Sequence, residues 1–538
     1  MANLDQHIRG PLMALPQTFS DAVSVTKVLG VRYLWSDSLC IVQDSEHDWH
    51  AEVSAMADIY ENALLTICAD AATNATEGFL GPPARSFQPA TAVSYKYAEA
   101  NGQVFHGTVQ VRPRGKLGLM LPYHDTWEVP GSTAPDLSAA QPRGTVPAPL
   151  LPNLLPTSPD PRFPRRYANI TTFSQADEAA AKHGDVDDSA VPRSKLSTRG
   201  WVFQERVLAP RTLHFSRSEV TWECRSLCTC ECSANSNRPR MVASLLKQCL
   251  ANWGMKVDER WRKEIVQEYS CLDLTVQTGR LLALSGLAGR LSRLRPDDTY
   301  AVGLWESSLP RDLLWYTRPS RHSERLMPYC APTWSWVSVT GSTAYTWDNE
   351  IDGISPTLQI VSINVKPAST TNLYGNAQEG AYLVIKGISL RTLLRHAGSA
   401  GRTITTLDIV AGADRHESEF EPVWDTSTGG VDSNSDREFV LLLMTESRRQ
   451  PCSILLSKSG SIVSEDHRSE AVNQPEAYER VAYVGHRRSN FPRILRRGSY
   501  GGRERERMRQ QVLDARQRAK DDFAKWQALG DVRELKIV

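Results

Sequence analysis

The chain has 538 residues, 23% charged and 41% hydrophobic, with 62 Lys and Arg against 61 Asp and Glu. That length allows two or three domains of roughly 100–200 residues and excludes a mini-protein. The net charge of +1 leaves no global field to draw the chain onto nucleic acid or anionic lipid. No apolar run approaches the roughly 18–20 residues of a membrane span. The first residues, MANLDQHIRGPLMALPQTF, lack the continuous apolar stretch of a secretory signal. The ten scattered cysteines therefore read as thiols of a reducing, cytoplasmic protein.

Thr18 and Asp21 make a capping-box-like helix start, followed by Phe19, Ala22, Val23 and Thr26 at helical spacing and Gly30 as the stop. Val31–Trp35 reads as a short strand, interrupted by Ser36-Asp37-Ser38 before the apolar run Leu39–Val42. Ser45 and Asp48 open a second helix whose stripe is Trp49, Val53, Met56 and Tyr60, and Leu64–Cys68 follows as a buried strand. Helix, strand, helix, strand with short connections predicts an open, mostly parallel sheet with flanking helices. Residues 130–164 hold ten of the 31 prolines and read as a disordered insertion. Residues 174–196, acidic and Ala-rich, read as a second exposed insertion. A short helix is expected over 197–206, ended by Pro210. Residues 212–340 mix strand-like and helical runs, and 356–490 read mainly as β, with Tyr382–Ile385 and Phe439–Met444 the clearest strands. The stretch 481–520 carries twelve Lys and Arg against three Asp and Glu. Met508, Val512, Ala515, Ala519, Phe523 and Trp526 then draw one apolar stripe on a basic helix closed by Gly530. That stripe suits docking on a partner or on the chain's own body, or else belongs to a solvated helix.

Four groups are candidates for chemistry. Asp37 and Ser38 stand just past the carboxyl end of the expected strand, where open α/β sheets bind ligands, although the residues alone favour a turn-capping Asp37. Glu52 falls on the shoulder of the apolar arc set by Trp49, Val53 and Met56. A carboxylate at a core edge is costly unless paired, for instance with Arg32, or used. Cys40 beside His47 and His50 has the residue types of a thiol nucleophile, although its apolar neighbours favour a plain buried cysteine. Cys224, Cys228, Cys230 and Cys232 could hold a metal, but their spacing matches no usual zinc knuckle, and reduced surface thiols are the alternative. No dinucleotide, phosphate-loop, serine-hydrolase or zincin motif occurs.

Val31-Arg32-Tyr33-Leu34-Trp35-Ser36-Asp37-Ser38-Leu39-Cys40-Ile41-Val42-Gln43-Asp44, with Asp48-Trp49, Glu52, Met56, Ile59-Tyr60 and Asn62-Ala63, resembles the fungal heterokaryon-incompatibility (HET) domain. Arg199–Arg206, Pro210-Arg211 and Leu213-His214-Phe215 resemble its closing block. Asp298–Trp305, Leu313-Leu314-Trp315 and Pro332–Trp336 resemble its companion region. The resemblance implies a HET domain over 1–208, a mixed α+β companion region over 209–345, a variable mainly-β region over 346–498 and a basic amphipathic helical tail over 499–538. The implied core is TIR-like or flavodoxin-like. It lacks the L-S-Y-x-W-G block with which such domains usually open, and Ser36 replaces a usual aliphatic residue. The chain therefore reads as truncated at its N-terminus.

The implied role is an effector of programmed cell death in non-self recognition, working with protein partners. Some TIR enzymes cleave NAD with a glutamate shortly after an Asp-Trp pair. Asp48-Trp49-x-x-Glu52 echoes that pattern, with Glu52 catalytic, Asp37, Ser38 and Trp49 shaping the pocket, and NAD as substrate. A non-catalytic module acting through partner assembly and an inactive truncated copy are the alternatives.

Overall fold

The computed structural model describes residues 15–81, 91–98, 104–111, 194–217, 220–225, 228–230, 247, 257–318, 322–345, 351–399, 402–417, 422–426, 438–447, 452–459, 476–485 and 502–538. The chain divides into two units, residues 1–120 with 193–538, and residues 121–192. The second unit lies outside the described residues, together with the whole of the expected insertion at 130–164 and residues 174–193 of the other. All the described residues belong to the first unit.

Helix α1 (Gln17–Val28) ends where glycine permits it: Gly30 takes φ 69°, the left-handed turn expected of a C′ glycine. Asp21 does not cap this helix. Its carboxylate turns across to accept the backbone N–H groups of Phe79 (2.7 Å) and Leu80 (3.0 Å). Ser45 does cap α3 (Glu46–Asn62), accepting from the Asp48 N–H at 3.3 Å. The Asp48 carboxylate completes no box; it accepts from Val42 N–H at 2.7 Å.

The expected strand at Val31–Trp35 does not form. These residues have no regular structure, Tyr33 is 79% exposed, and no described strand lies beside them. Ser36 instead leads into the one-turn helix α2 (Asp37–Cys40). A β-rich run without a neighbouring strand has nothing to satisfy its backbone or cover its side chains. Leu39 is 45% exposed and Cys40 is exposed, so the buried reading of Cys40 is also corrected.

The sheet of this region runs β1 (Thr66–Cys68), β2 (Arg211–Phe215), β3 (Val220–Cys224), β4 (Cys228–Cys230). Only β1 and β2 are parallel, with Cys68 opposite His214; β2–β3 and β3–β4 are antiparallel. The chain is thus mixed α/β, and the mostly parallel sheet expected from the sequence is not what the described residues build. The reason lies in the connection: four residues between β2 and β3 suffice for a hairpin, whereas a parallel neighbour needs a crossover of a dozen or more. A separate hairpin pairs Thr91–Ala98 with Val104–Val111.

Helix α4 (Gly200–Leu208) packs on α3, with Trp201 edge-on to Trp49 at 6.5 Å between centroids. Both helices meet α5 (Ser285–Leu294). Gln204 Oε1 accepts from the Gly286 and Leu287 N–H groups at its first turn, at 2.7 and 3.3 Å. Gly286 is required there, because a Cβ would stand 2.5 Å from that of Ala57. Glu61 accepts from Arg290 Nε at 2.8 Å.

Beyond α5 the core is built on tryptophan. The hairpin β5 (Tyr300–Ala301) and β6 (Leu304–Trp305) turns through Val302 (φ 45°) and Gly303 (φ 91°), both left-handed. Gly303 presents its carbonyl to the indole N–H groups of Trp261 (2.9 Å) and Trp336 (3.0 Å), while Trp315 donates to the Trp334 carbonyl (2.9 Å). Those indoles are buried with their polar atoms satisfied.

The C-terminal half is a ten-stranded, mostly antiparallel sheet. Five of its strands close on themselves: β7 (Tyr382–Ser399), β8 (Glu438–Ser447), β9 (Cys452–Lys458), β10 (Ala477–Val484) and β11 (Asp531–Ile537). The 18-residue β7 closes the ring by pairing β11 through 383–389 and β8 through 389–393. Alternate residues of β8 serve two cores. Leu442 and Met444 join the core containing the tryptophans, whereas Leu441 and Leu443 join one that Phe523 and Trp526 of helix α6 (Gly502–Leu529) cover.

The basic helix therefore docks its C-terminal end on the chain's own body. The side chains of Met508, Val512, Ala515 and Ala519 lie outside those described. Past Gly530 the last residues are not helical: β11 lies between β10 and β7.

Candidate functional site

The polar groups of the N-terminal region collect at one place, the carboxyl end of the parallel pair β1–β2. Parallel register sets Cys68 beside His214. The chain then leaves β1 and places Asp70 over the same end. His214 Nδ1 lies 2.8 Å from Asp70 Oδ2, and Nε2 lies 3.2 Å from Glu223 Oε2. Ser194 Oγ donates to the other Asp70 oxygen at 2.6 Å. Ser194 belongs to the stretch that the sequence assigned to an exposed insertion, and here it anchors a buried carboxylate. Glu223 Oε2 also receives Arg206 Nε at 3.3 Å and lies 3.3 Å from Lys247 Nζ. Lys247 Nζ donates to Thr212 Oγ1 at 2.5 Å.

The charges are mutually sustained. Burial opposes charge on His214, yet Cys68, Asp70 and Glu223 together hold its pKa well above the ordinary imidazole range. Burial likewise opposes ionisation of Glu223, but Arg206, His214 and Lys247 outweigh it and hold that carboxyl far below its usual range. Asp70 is lowered too: burial is overcome by His214, Ser194 and Arg206. Both ring nitrogens thus face a carboxylate, an arrangement that favours the charged imidazolium. Next to it is a cavity of about 20 Å³, lined by Cys68, Asp70, Phe203, Arg206, His214 and Glu268 among others. That volume holds a water or an ion, not a nucleotide.

A second cluster lies on the far flank of α4. Glu205 is half-buried and bonded to the Tyr60 hydroxyl. Its burial, and then the charge of Asp37, push its carboxyl up to about 7, against the pull of Tyr60 and Arg199. Burial and Glu205 in turn raise the Tyr60 phenol. Trp35 stands edge-on to Tyr60 at 5.6 Å.

The residues picked from the sequence fare differently. Asp37 joins the Glu205–Tyr60 cluster while also accepting the Ser38 N–H at 2.7 Å, which is the turn-capping role. Ser38 is exposed, and its hydroxyl donates to the same Asp37 oxygen at 3.2 Å. Trp49 packs on Trp201. Glu52 is half-buried on α3, with no hydrogen bond or ion pair among the described residues; the suggested partner Arg32 stacks over Tyr33 instead. Neither Asp37, Ser38, Trp49 nor Glu52 lines the His214 cavity. Of the cysteine cluster, Cys224 is half-buried on β3, the backbones of Cys228 and Cys230 form β4, and Cys232 lies outside the described residues.

Sequence reasoning missed Cys68, Asp70, His214, Glu223 and Glu205. Cys68 and Asp70 are two residues apart and leave a strand on one face, a signal present in Thr66–Asp70. His214 could be matched to them only by knowing which strand pairs with β1.

Fold and site thus define a mixed α/β protein with a buried cluster of charged groups at the carboxyl ends of two parallel strands. Residues 2–205 match the family described as Heterokaryon incompatibility protein (HET), and this stretch of the chain is a HET domain. Neither the curated proteins nor the solved structures compared with the chain give a match. Among the described residues no helix is long and apolar enough to cross a membrane.

Proposed function

We propose that this protein is an effector of heterokaryon incompatibility, acting in non-self recognition and programmed cell death through protein partners. The observation that carries the reading is the HET match over residues 2–205. Helix α5, beyond the matched stretch, is fastened to it through Gln204 and Glu61. The test is induced expression of the full chain in a filamentous fungus, alone and in forced heterokaryons. Growth arrest with death of the expressing compartments supports the reading. Normal growth of both at verified protein levels contradicts it.

A catalytic version of the same role would rest on Glu205, half-buried on α4 and bonded to the Tyr60 hydroxyl near Asp37, where burial pushes its carboxyl up to about 7. A carboxyl poised there suits cleavage of a glycosidic bond, including the nicotinamide–ribose bond of NAD. It fits that role better than Glu52, the candidate taken from the Asp-Trp-x-x-Glu pattern. Nicotinamide release by the purified chain separates the two. Loss in Glu205→Gln with retention in Glu52→Gln supports the structural choice, the reverse supports the sequence pattern, and no release by the wild type removes catalysis of this kind.

A further inference from the structure

We propose that Cys68, Asp70 and His214 form a binding site for a divalent ion of the zinc class, with a fourth position open to the adjoining cavity. Their ligand atoms, one sulfur, one carboxylate oxygen and one ring nitrogen, lie within 4.8 Å of one another. Bonds of about 2.0–2.3 Å to a tetrahedral ion require donors roughly 3–4 Å apart, so the three donors close on an ion with shifts of about an ångström. A thiolate and an imidazole select zinc-class metals over magnesium or calcium. The cavity of about 20 Å³ beside the three donors has room for the ion or its water.

The supports around the donors are those a metal site needs. His214 keeps one nitrogen toward Asp70 and offers the other to Glu223, the arrangement that fixes the ring of a metal-bound histidine. Asp70 is held by Ser194 through the oxygen that does not face the ring. Glu223 Oε1 is buried and has no partner among the described residues, so that carboxylate has capacity to spare. The site is distinct from the Cys224–Cys232 run, and it does not depend on NAD chemistry.

The test uses the full chain, stripped with a chelator and titrated with cobalt(II) and with zinc. The proposal expects one tight equivalent, a thiolate-to-cobalt charge-transfer band, and an absorption-edge spectrum with one sulfur and otherwise nitrogen or oxygen neighbours. Cys68→Ser should abolish the band, while the double change Cys228→Ser and Cys230→Ser should leave it. The wild-type spectrum stands even where Cys68→Ser fails to fold. A shell of several sulfurs, a band lost with Cys228 and Cys230, or a folded chain that takes up no metal would each overturn the proposal.

Discussion

Two buried cores in this chain hold their charges in different ways. Around Trp261, Trp315 and Trp336 the bulk is large and apolar, those three indole N–H groups end on backbone carbonyls, and the buried charges come as separate arginine–aspartate pairs, Arg262 with Asp312 and Arg480 with Asp425, with Arg480 stacked over Trp315. At the end of β1 and β2 the contents are an imidazolium, a guanidinium, an ammonium and two carboxylates, all buried and each leaning on the others. The first arrangement sets isolated pairs in an apolar bulk that carries the stability. The second is a poor way to stabilise a fold, because desolvation of ion pairs offsets most of their attraction. The difference teaches where to look for function: where several buried charges converge beside a cavity, not where they are closed off pair by pair.

The comparison can be broken hardest at the closure of the barrel. Ending the chain after Leu529 removes β11, which pairs β7 over residues 383–389 and leaves Leu535 and Ile537 out of the tryptophan core. We expect no soluble, cooperatively folded product, read by expression yield and circular dichroism. Next, Trp336→Ala should cost about 3–5 kcal/mol through the cavity left. Glu223→Gln should cost a similar ~3–5 kcal/mol by a different route, leaving Arg206 and Lys247 as buried cations without their carboxylate and His214 with Asp70 alone. Urea denaturation measures both, and pH distinguishes them. The carboxylates Asp70 and Glu223 have lowered pKa values, so the stability they add is present above the unfolded carboxyl pKa of about 4 and is lost as pH falls below it. His214, raised, adds stability below about 6.5 that is lost as pH climbs through its folded pKa. Trp336→Ala should keep the acid limb, whereas Glu223→Gln should flatten it. The smallest expected effect is at the β5–β6 turn. Val302→Gly relieves a left-handed backbone but gives up a side chain buried in the tryptophan core, and should lose about 1–2 kcal/mol net. Gly303→Ala sets a Cβ 2.7 Å from Trp336 Nε1 and should lose about 1–3 kcal/mol.

Much of the local architecture was readable in the residues. Gly30 as a stop, Ser45 as a cap, the helices at 17–28 and 46–62 and the strand after Thr212 follow from spacing and turn chemistry. Val31–Trp35 misled because β propensity reports fitness for a sheet, not the presence of a neighbouring strand. The rule that ligand groups gather at carboxyl ends of strands was applied to Val31–Trp35, a strand that does not form; the buried charged groups gather instead at the ends of β1 and β2. Cys68 and His214 are 146 positions apart in the chain, and only the pairing register joins them. The tail shows the same limit: charge and periodicity reveal the helix of α6, but Asp531–Ile537 becomes a barrel strand through long-range pairing that no local pattern encodes.

The central claim is that buried ionisable groups in the HET region are kept for function at a cost in stability. Glu205→Gln tests it most directly, measured as stability at pH 8 beside cell death on induced expression. A carboxyl raised to about 7 contributes stability below about 4.5 and loses it as pH rises past 7. Glutamine should therefore make the chain more stable than wild type at pH 8, by about 2–3 kcal/mol, while death is lost. A variant that is no more stable at pH 8 and still kills would contradict the account.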